Sequence, residues 1–257
     1  VFLAGNIFTQ LFFNLNAMLR SSAAPQKAMI ATIGMVFIVV ILNPIFIFGL
    51  KMGMRGSALA TVLSQGIMLC YQLHHFYNKN NCIYFQKGIF KLRWNMISKM
   101  MSIGLSPFFM NLTACMVVII ITNSLTRYGG DVAVGAYGII NRFLFFFVMI
   151  VIGLMQGMQP IVGYNYGAKL YNRAFKALKL SIMFATFISV IGFLLGEFFP
   201  DMITSMFTTD KQLTEIAASG MRIMMMAVPL LGIQVISTGF FQSIGYVKTA
   251  IFLSLLR

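Results

Sequence analysis

Residues 133–169, AVGAYGIINRFLFFFVMIVIGLMQGMQPIVGYNYGAK, carry one charged side chain, Arg142, before the closing Lys169. A helix needs roughly 20 mostly apolar residues to cross a hydrocarbon core about 30 Å thick, and 133–163 supply them. The second half then places Gln156, Gln159, Pro160 and Asn165 among glycines. Within lipid, amides and helix-breaking residues are tolerated only where protein or water covers them. The stretch therefore predicts a membrane-crossing helix that presents amides to a packed or wet interior.

The rest of the chain repeats the pattern. Of its 257 residues 59% are hydrophobic and 9% charged, with a mean hydropathy of +0.87; a soluble domain carries about 25% charged residues. Apolar runs at 1–19, 28–50, 56–77, 100–126, 133–163, 178–199 and 216–245, with another from 249, predict an all-α polytopic membrane protein of seven spans and a partial eighth. The net charge of +14 sits in the connections. Segments 20–27, 78–99 and 164–179 hold most of the bases, and the positive-inside rule places them in the cytoplasm. Bases so placed anchor loops, so nucleic acid is not an expected partner. Cys70, Cys82 and Cys115 show no metal or disulfide spacing. The chain starts and stops inside apolar runs, as a fragment of a longer protein would.

Residues 78–99, NKNNCIYFQKGIFKLRWNMISK, mix bases with Tyr84, Ile89, Phe90 and Trp94. They read either as an amphipathic helix on the cytoplasmic leaflet or as an ordinary loop with aromatic anchors. A weak echo links LFFNLNAMLRSSAAPQKAM (11–29) with GFFQSIGYVKTAIF (239–252): paired Phe, an amide, then a small and basic turn. Parallel transporter repeats produce such echoes.

Polar groups at membrane depth are the candidate functional residues. Asn43-Pro44 lies in the second run; Ser106-Pro107, Asn111 and Thr113 lie in the fourth; Asn141, Gln156, Gln159 and Pro160 lie in the fifth; Pro229, Gln234 and Gln242 lie in the seventh. Each alone is explained by helix packing, but together they line many spans. Asp131, Glu197, Asp201, Asp210 and Glu215 all fall near span ends, so no midplane carboxylate is expected to carry a proton or sodium. Arg142 is near an outer end and is expected to snorkel. His74-His75 ends a span without a third ligand in view, and no metal site is expected. The chain has no catalytic constellation and no nucleotide-binding loop, so transport would be secondary or passive. A lining rich in Met (21) and Phe (26) suits varied apolar ligands, and suits lipid equally well.

ILNPIFIFG (41–49) followed by GMRGSALATVLSQ (53–65) resembles the fifth-to-sixth span signature of the multidrug and toxic compound extrusion (MATE) transporters. GLMQGMQPIVGYNYGAK (153–169) resembles their eighth-span signature. The resemblance covers the whole chain. It implies a two-lobe helical bundle of the MATE/MOP type, with the end of the N-lobe at 1–77 (spans 4–6), a cytoplasmic inter-lobe linker at 78–99, and C-lobe spans 7–10 with the start of 11 at 100–257. It further implies a multi-pass protein of the inner (plasma) membrane, working as a monomer. Such a protein would export cationic, amphipathic small molecules in exchange for Na+ or H+ by alternating access, with no cofactor and no catalysis.

The resemblance also sets the cation question. Many members have an aspartate where this chain has Asn43, and an asparagine where it has Val39; the partner threonine corresponds to Thr61. An amide ligates sodium through its carbonyl oxygen but carries no proton. Asn43, Thr61 and Gln65 are the expected N-lobe cation or substrate contacts, and Asn111, Asn141, Gln156 and Gln159 the C-lobe ones. Arg142 is an alternative cation-excluding element. The turn of Tyr164, Asn165 and Tyr166 is expected to be structural, with Pro160 loosening the turn that ends the span. Rival readings are a lipid-linked oligosaccharide flippase of the same superfamily, which calls for buried bases, and a membrane-embedded enzyme, which calls for paired acids or histidines at depth.

Overall fold

In a computed structural model the protein is described over residues 2–22, 24–77, 84 and 94–255, with the side chains of residues 2–4, 99 and 106 outside that description. Every regular element among the described residues is helical. The chain divides into two compact units, Val1–Leu92 and Arg93–Arg257.

In the first unit, α1 (Phe2–Ser21) turns into α2 (Pro25–Pro44), whose first position is Pro25, a residue that costs a helix start no hydrogen bond. Pro44 has no N–H to donate back along α2. The chain widens there into a π turn, Ile45–Gly49, closed by Leu50 N–H on the Ile45 carbonyl at 3.0 Å. Lys51 (φ 52°) and Gly53 (φ 53°) then reverse the backbone into α3 (Gly53–Tyr77). Gly56 fits under that turn because a Cβ would meet the Phe46 carbonyl oxygen at 2.8 Å. Phe12, Leu15 and Leu19 of α1 pack with Ala28 and Ala31 of α2 and with Leu69 and Phe76 of α3. Small residues on α2 let the helices approach closely, as helix packing in lipid requires.

The second unit opens with α4 (Trp94–Gly167). Continuous in its hydrogen bonding, it is two helices joined at Gly130, whose φ of 66° and ψ of −168° only glycine adopts easily. The break falls in the expected connection between the runs 100–126 and 133–163. The helix passes Pro160 and does not stop at the expected span end, 163. It runs on to Gly167 and closes through Lys169 (φ 60°), with Leu170 N–H reaching the Asn165 carbonyl at 2.8 Å. Helix α5 (Tyr171–Phe198) returns, followed by the single-turn α6 (Pro200–Ser205) and by α7 (Lys211–Met225). The Asp210 carboxylate caps α7 by accepting from the backbone N–H of Gln212 at 3.0 Å.

Helices α8 (Val228–Ser243) and α9 (Val247–Leu255) complete the unit. The expected single span over 216–245 is bent: α7 and α8 meet at 49°. Pro229 cannot donate to the preceding turn, and the ladder stops there. By length and composition, Pro25–Gly49, α4 and α5 are each apolar enough to cross a membrane, and the bent pair passes as a fourth. Helix α4 includes the break at Gly130, and α1 and α3 are less apolar, diluted by residues such as Asn14, Asn16, Gln65 and Gln72. Two cores hold the unit together. Val151, Met158, Val162, Val235, Ile236 and Phe240 form one; Ile140, Ile203, Met221, Met225 and Val228 form the other.

Of the expected inter-lobe linker, 78–83 and 85–93 lie outside the described residues, while 94–99 already belong to α4. The echoed segments 11–29 and 239–252 each span a helix end, a short turn and the next helix start, α1 into α2 and α8 into α9.

Candidate functional site

The amides singled out in the sequence fall into three physical classes. Asn43, half-buried one residue before Pro44, has an Oδ1 with no solvent and no hydrogen-bond partner. The π turn that Pro44 imposes is what leaves this part of the backbone irregular. A buried acceptor with nothing to accept is costly unless a donor or cation fills it.

Thr61 and Gln65 are satisfied within their own unit. The Thr61 hydroxyl donates to the Ser57 carbonyl at 3.0 Å. Gln65 is 4% exposed, and its Oε1 accepts from the Thr9 hydroxyl at 2.6 Å, tying α3 to α1. Asn111 is exposed and donates from Nδ2 to the Pro107 carbonyl one turn earlier, at 2.9 Å. It occupies the carbonyl that a helix continuing through position 111 would share, so its side chain is turned back on its own helix. Asn141 is half-buried and Arg142 exposed on the second half of α4.

Gln156 and Gln159, three apart, share a face of α4. Gln159 Nε2 donates to Gln242 Oε1 of α8 at 3.3 Å, so the signature segment is tied by an amide pair to the last turn of α8. Gly239, just before, lets α8 approach Met155 and Gln159. Within the C-terminal unit, the structure thus brings Gln159 and Gln242 together.

In the same unit, residues of α4, α5 and α8 with Ile244 and Tyr246 line a pocket of about 320 Å³ walled by rings, and neither Gln159 nor Gln242 is in its lining. Tyr166 stands edge-on to Tyr171 with centroids 5.4 Å apart, and Tyr246 shares a side-chain hydrogen bond with Tyr166. Phe240 meets Phe175 at 6.0 Å and Phe241 at 5.6 Å. The volume falls at the small end of those that hold drug-sized ligands. Ring faces are electron-rich and receive organic cations as readily as apolar bodies.

The sequence reading treated Tyr166 as part of a structural turn, and in the structure that ring also lines the pocket. The pertinent signal was the gathering of Tyr166, Tyr171, Phe175 and Tyr246 around one end of the C-terminal spans. Asn165 does behave structurally, donating to the Ile161 carbonyl at 2.8 Å. Among the described residues no group of His, Cys, Asp or Glu could hold a metal ion. Two polar groups went unremarked: Asn16, which binds α1 to α2, and Gln72, fully buried with neither amide atom paired.

The family model MatE matches residues 107–257. Among curated proteins, the multidrug export protein MepA of Staphylococcus aureus (strain MSSA476) is 28% identical over 250 residues, covering 97% of this chain and 55% of its own length. MepA of Staphylococcus haemolyticus is 29% identical over 93% of the chain and 52% of its own. The chain therefore spans about half the length of the curated relatives it matches. Among solved structures, the MATE multidrug transporter DinF-BH superimposes with a TM-score of 0.86 at 34% identity, over 98% of this chain and 57% of that one. An outward-facing MATE-family transporter of the MOP superfamily shares the fold at a TM-score of 0.91 and 20% identity, over 98% of this chain and 57% of its own.

Proposed function

Because the chain belongs to the MatE family, we propose that it is part of a secondary exporter of the inner (plasma) membrane. It acts as a monomer on cationic or amphipathic small molecules, in exchange for Na+ or H+, by alternating access. On this reading 1–77 ends the N-lobe, 78–99 links the lobes and 100–257 supplies the C-lobe, with seven spans and a partial eighth in all. The observation that carries the reading is the ring-walled pocket of Tyr166, Tyr171, Phe175, Phe240, Phe241 and Tyr246. Such a pocket offers cation–π faces and the hydroxyls of tyrosines and Ser237 without a fixed charge, which suits amphipathic cations of varied shape. The names of the relatives, multidrug export proteins, point the same way.

Sodium is the coupling ion favoured here. The unpaired Oδ1 of Asn43 is a ready cation ligand and cannot take up a proton near neutral pH. Gln65 and Asn111 then serve packing and helix geometry.

The test uses the full-length protein in sealed vesicles loaded with ethidium, with an imposed Na+ or H+ gradient. Efflux should follow the sodium gradient and fall by roughly tenfold in Asn43→Leu, the loss of one good ligand being worth about 1.4 kcal/mol. Efflux driven by protons alone would overturn the ion assignment. With folded protein, no flux under either gradient would sink the exporter reading and revive the oligosaccharide-flippase alternative.

A further inference from the structure

The signature helix has a second face. Opposite Gln159, α4 presents Ile150, Gly153, Gly157 and Ile161 to α5, and between the two helices lies an open groove of about 880 Å³. Its depth comes from missing side chains: a Cβ built at Gly153 or Gly157 meets nothing within 4 Å. Along α4 the groove runs from Ile150 to Ile161, eleven residues or about 16 Å at 1.5 Å per residue. That is close to half of a hydrocarbon core about 30 Å thick, the share of one leaflet.

The two bases in the lining, Arg173 and Lys176, lie in the first turns of α5, just beyond the turn that joins α5 to α4. Both therefore mark the same end of the groove, and the rest of the lining carries no charge. Among the described residues neither side-chain cation has a hydrogen bond or ion pair. Two unpaired cations at one end of an apolar trough one leaflet long repel an organic cation. They fit a molecule with an anionic head and a hydrocarbon tail.

We infer that the α4–α5 groove is a binding site for one anionic phospholipid, its phosphate held by Arg173 and Lys176 and an acyl chain laid over Gly153 and Gly157. The bases lie at the end that the positive-inside rule assigns to the cytoplasm, where anionic lipids are concentrated. Head and tail each contribute. Charge alone would take any anion, and the glycine trough alone would take any acyl chain. The inference rests only on the chain being a multi-pass membrane protein, so a negative dye-flux result leaves it untouched.

The full-length protein, purified in a mild detergent, would be titrated in native mass spectrometry with dioleoyl phosphatidylglycerol, dioleoyl phosphatidylcholine and inorganic phosphate. One phosphatidylglycerol should be retained at least about tenfold more strongly than phosphatidylcholine, since each base near the bilayer surface favours an anionic lipid severalfold. The preference should vanish in Arg173→Gln/Lys176→Gln, and retention of both lipids should fall in Gly157→Leu. Leucine at 157 enters open space in a helix and raises helix propensity, so that variant should keep its thermal unfolding midpoint. If it does not fold, the charge-removed protein decides the question by itself. Equal retention of the two lipids by the unaltered protein would overturn the inference, as would a phosphatidylglycerol preference that survives loss of both bases. Displacement of the lipid by equimolar inorganic phosphate would reduce the site to a plain anion site and overturn it too.

Discussion

In the α1–α2 hairpin, Asn16 donates from Nδ2 to both the Ala28 carbonyl and the Thr32 hydroxyl, each at 3.0 Å. In the α8–α9 hairpin, Gln234 donates to the Leu253 carbonyl at 2.7 Å, while its Oε1 is buried without a partner. The two turns differ as well. The first enters α2 through Pro25, whereas the second closes over Gly245 at φ 82°, with Tyr246 N–H on the Phe241 carbonyl at 2.9 Å. A short asparagine reaches its neighbour only because Ala28 and Ala31 bring α2 close. The longer glutamine reaches the Leu253 carbonyl but leaves one end of its amide unmatched. The two hairpins thus hold by different polar accounting, and in the second the amide and its acceptor both lie outside the echoed segment 239–252.

The other face of each hairpin widens the contrast. At Gly232, α8 lies backbone to backbone on α5, where a Cβ would stand 3.0 Å from the Ala185 carbonyl oxygen. At Gly5, the three atoms nearest a Cβ of α1 all belong to the Val62 side chain of α3 and none to its backbone, and α1 is tied to α3 nearby by the Thr9–Gln65 bond. The largest effect is therefore expected from Gly232→Leu, about 3 kcal/mol of destabilisation, against about 1 kcal/mol for Gly5→Leu. Denaturant titration in mixed micelles measures both. Equal costs would mean that backbone contact does not distinguish the two packings.

The hairpins themselves separate at the amides. Asn16→Leu removes two hydrogen bonds from a 5% exposed site and should cost about 1–2 kcal/mol. Gln234→Leu loses one bond but also removes an orphaned acceptor, so its cost should stay below about 0.5 kcal/mol. A Gln234→Leu penalty matching that of Asn16→Leu would erase the difference between the hairpins. The smallest change is expected at Gln72, where leucine should be neutral or stabilise by up to about 1 kcal/mol, because both amide atoms are buried unpaired. A clear loss of stability there, by the same titration, would mean that Gln72 has a partner the native protein provides.

The helical class, the break near 127–132 and the placement of amides along the chain were all legible from hydropathy and punctuation. The bend between α7 and α8 was half-legible: Pro229 was noted, yet 216–245 was read as one span, because the run is apolar on both sides of the bend. Extension of α4 from the expected end at 163 to Gly167 is not legible, for the converse reason. A proline costs a helix one bond, and Tyr166 and Lys169 supply turn-closing contacts that hydropathy does not register.

Site residues were legible only as candidates. Sequence marks Gln65, Asn111 and Gln159 as amides in apolar surroundings; it does not say that the first meets Thr9, the second its own backbone and the third Gln242. The ring-walled pocket draws Tyr166, Phe175 and Phe240 from three helices, and no periodicity along one chain segment announces such a meeting.

What the sequence determined by itself is what lipid demands of every residue in turn: apolar runs long enough to span, bases in the connections, prolines and amides confined to protected sites. These follow from transfer free energies, which are local. What the tertiary structure alone decided is which amide finds which partner and which glycine face stays open, as Gly232 is closed by α5 and Gly157 is not. Those depend on how closely two helices approach, and that distance is set by the side chains of both.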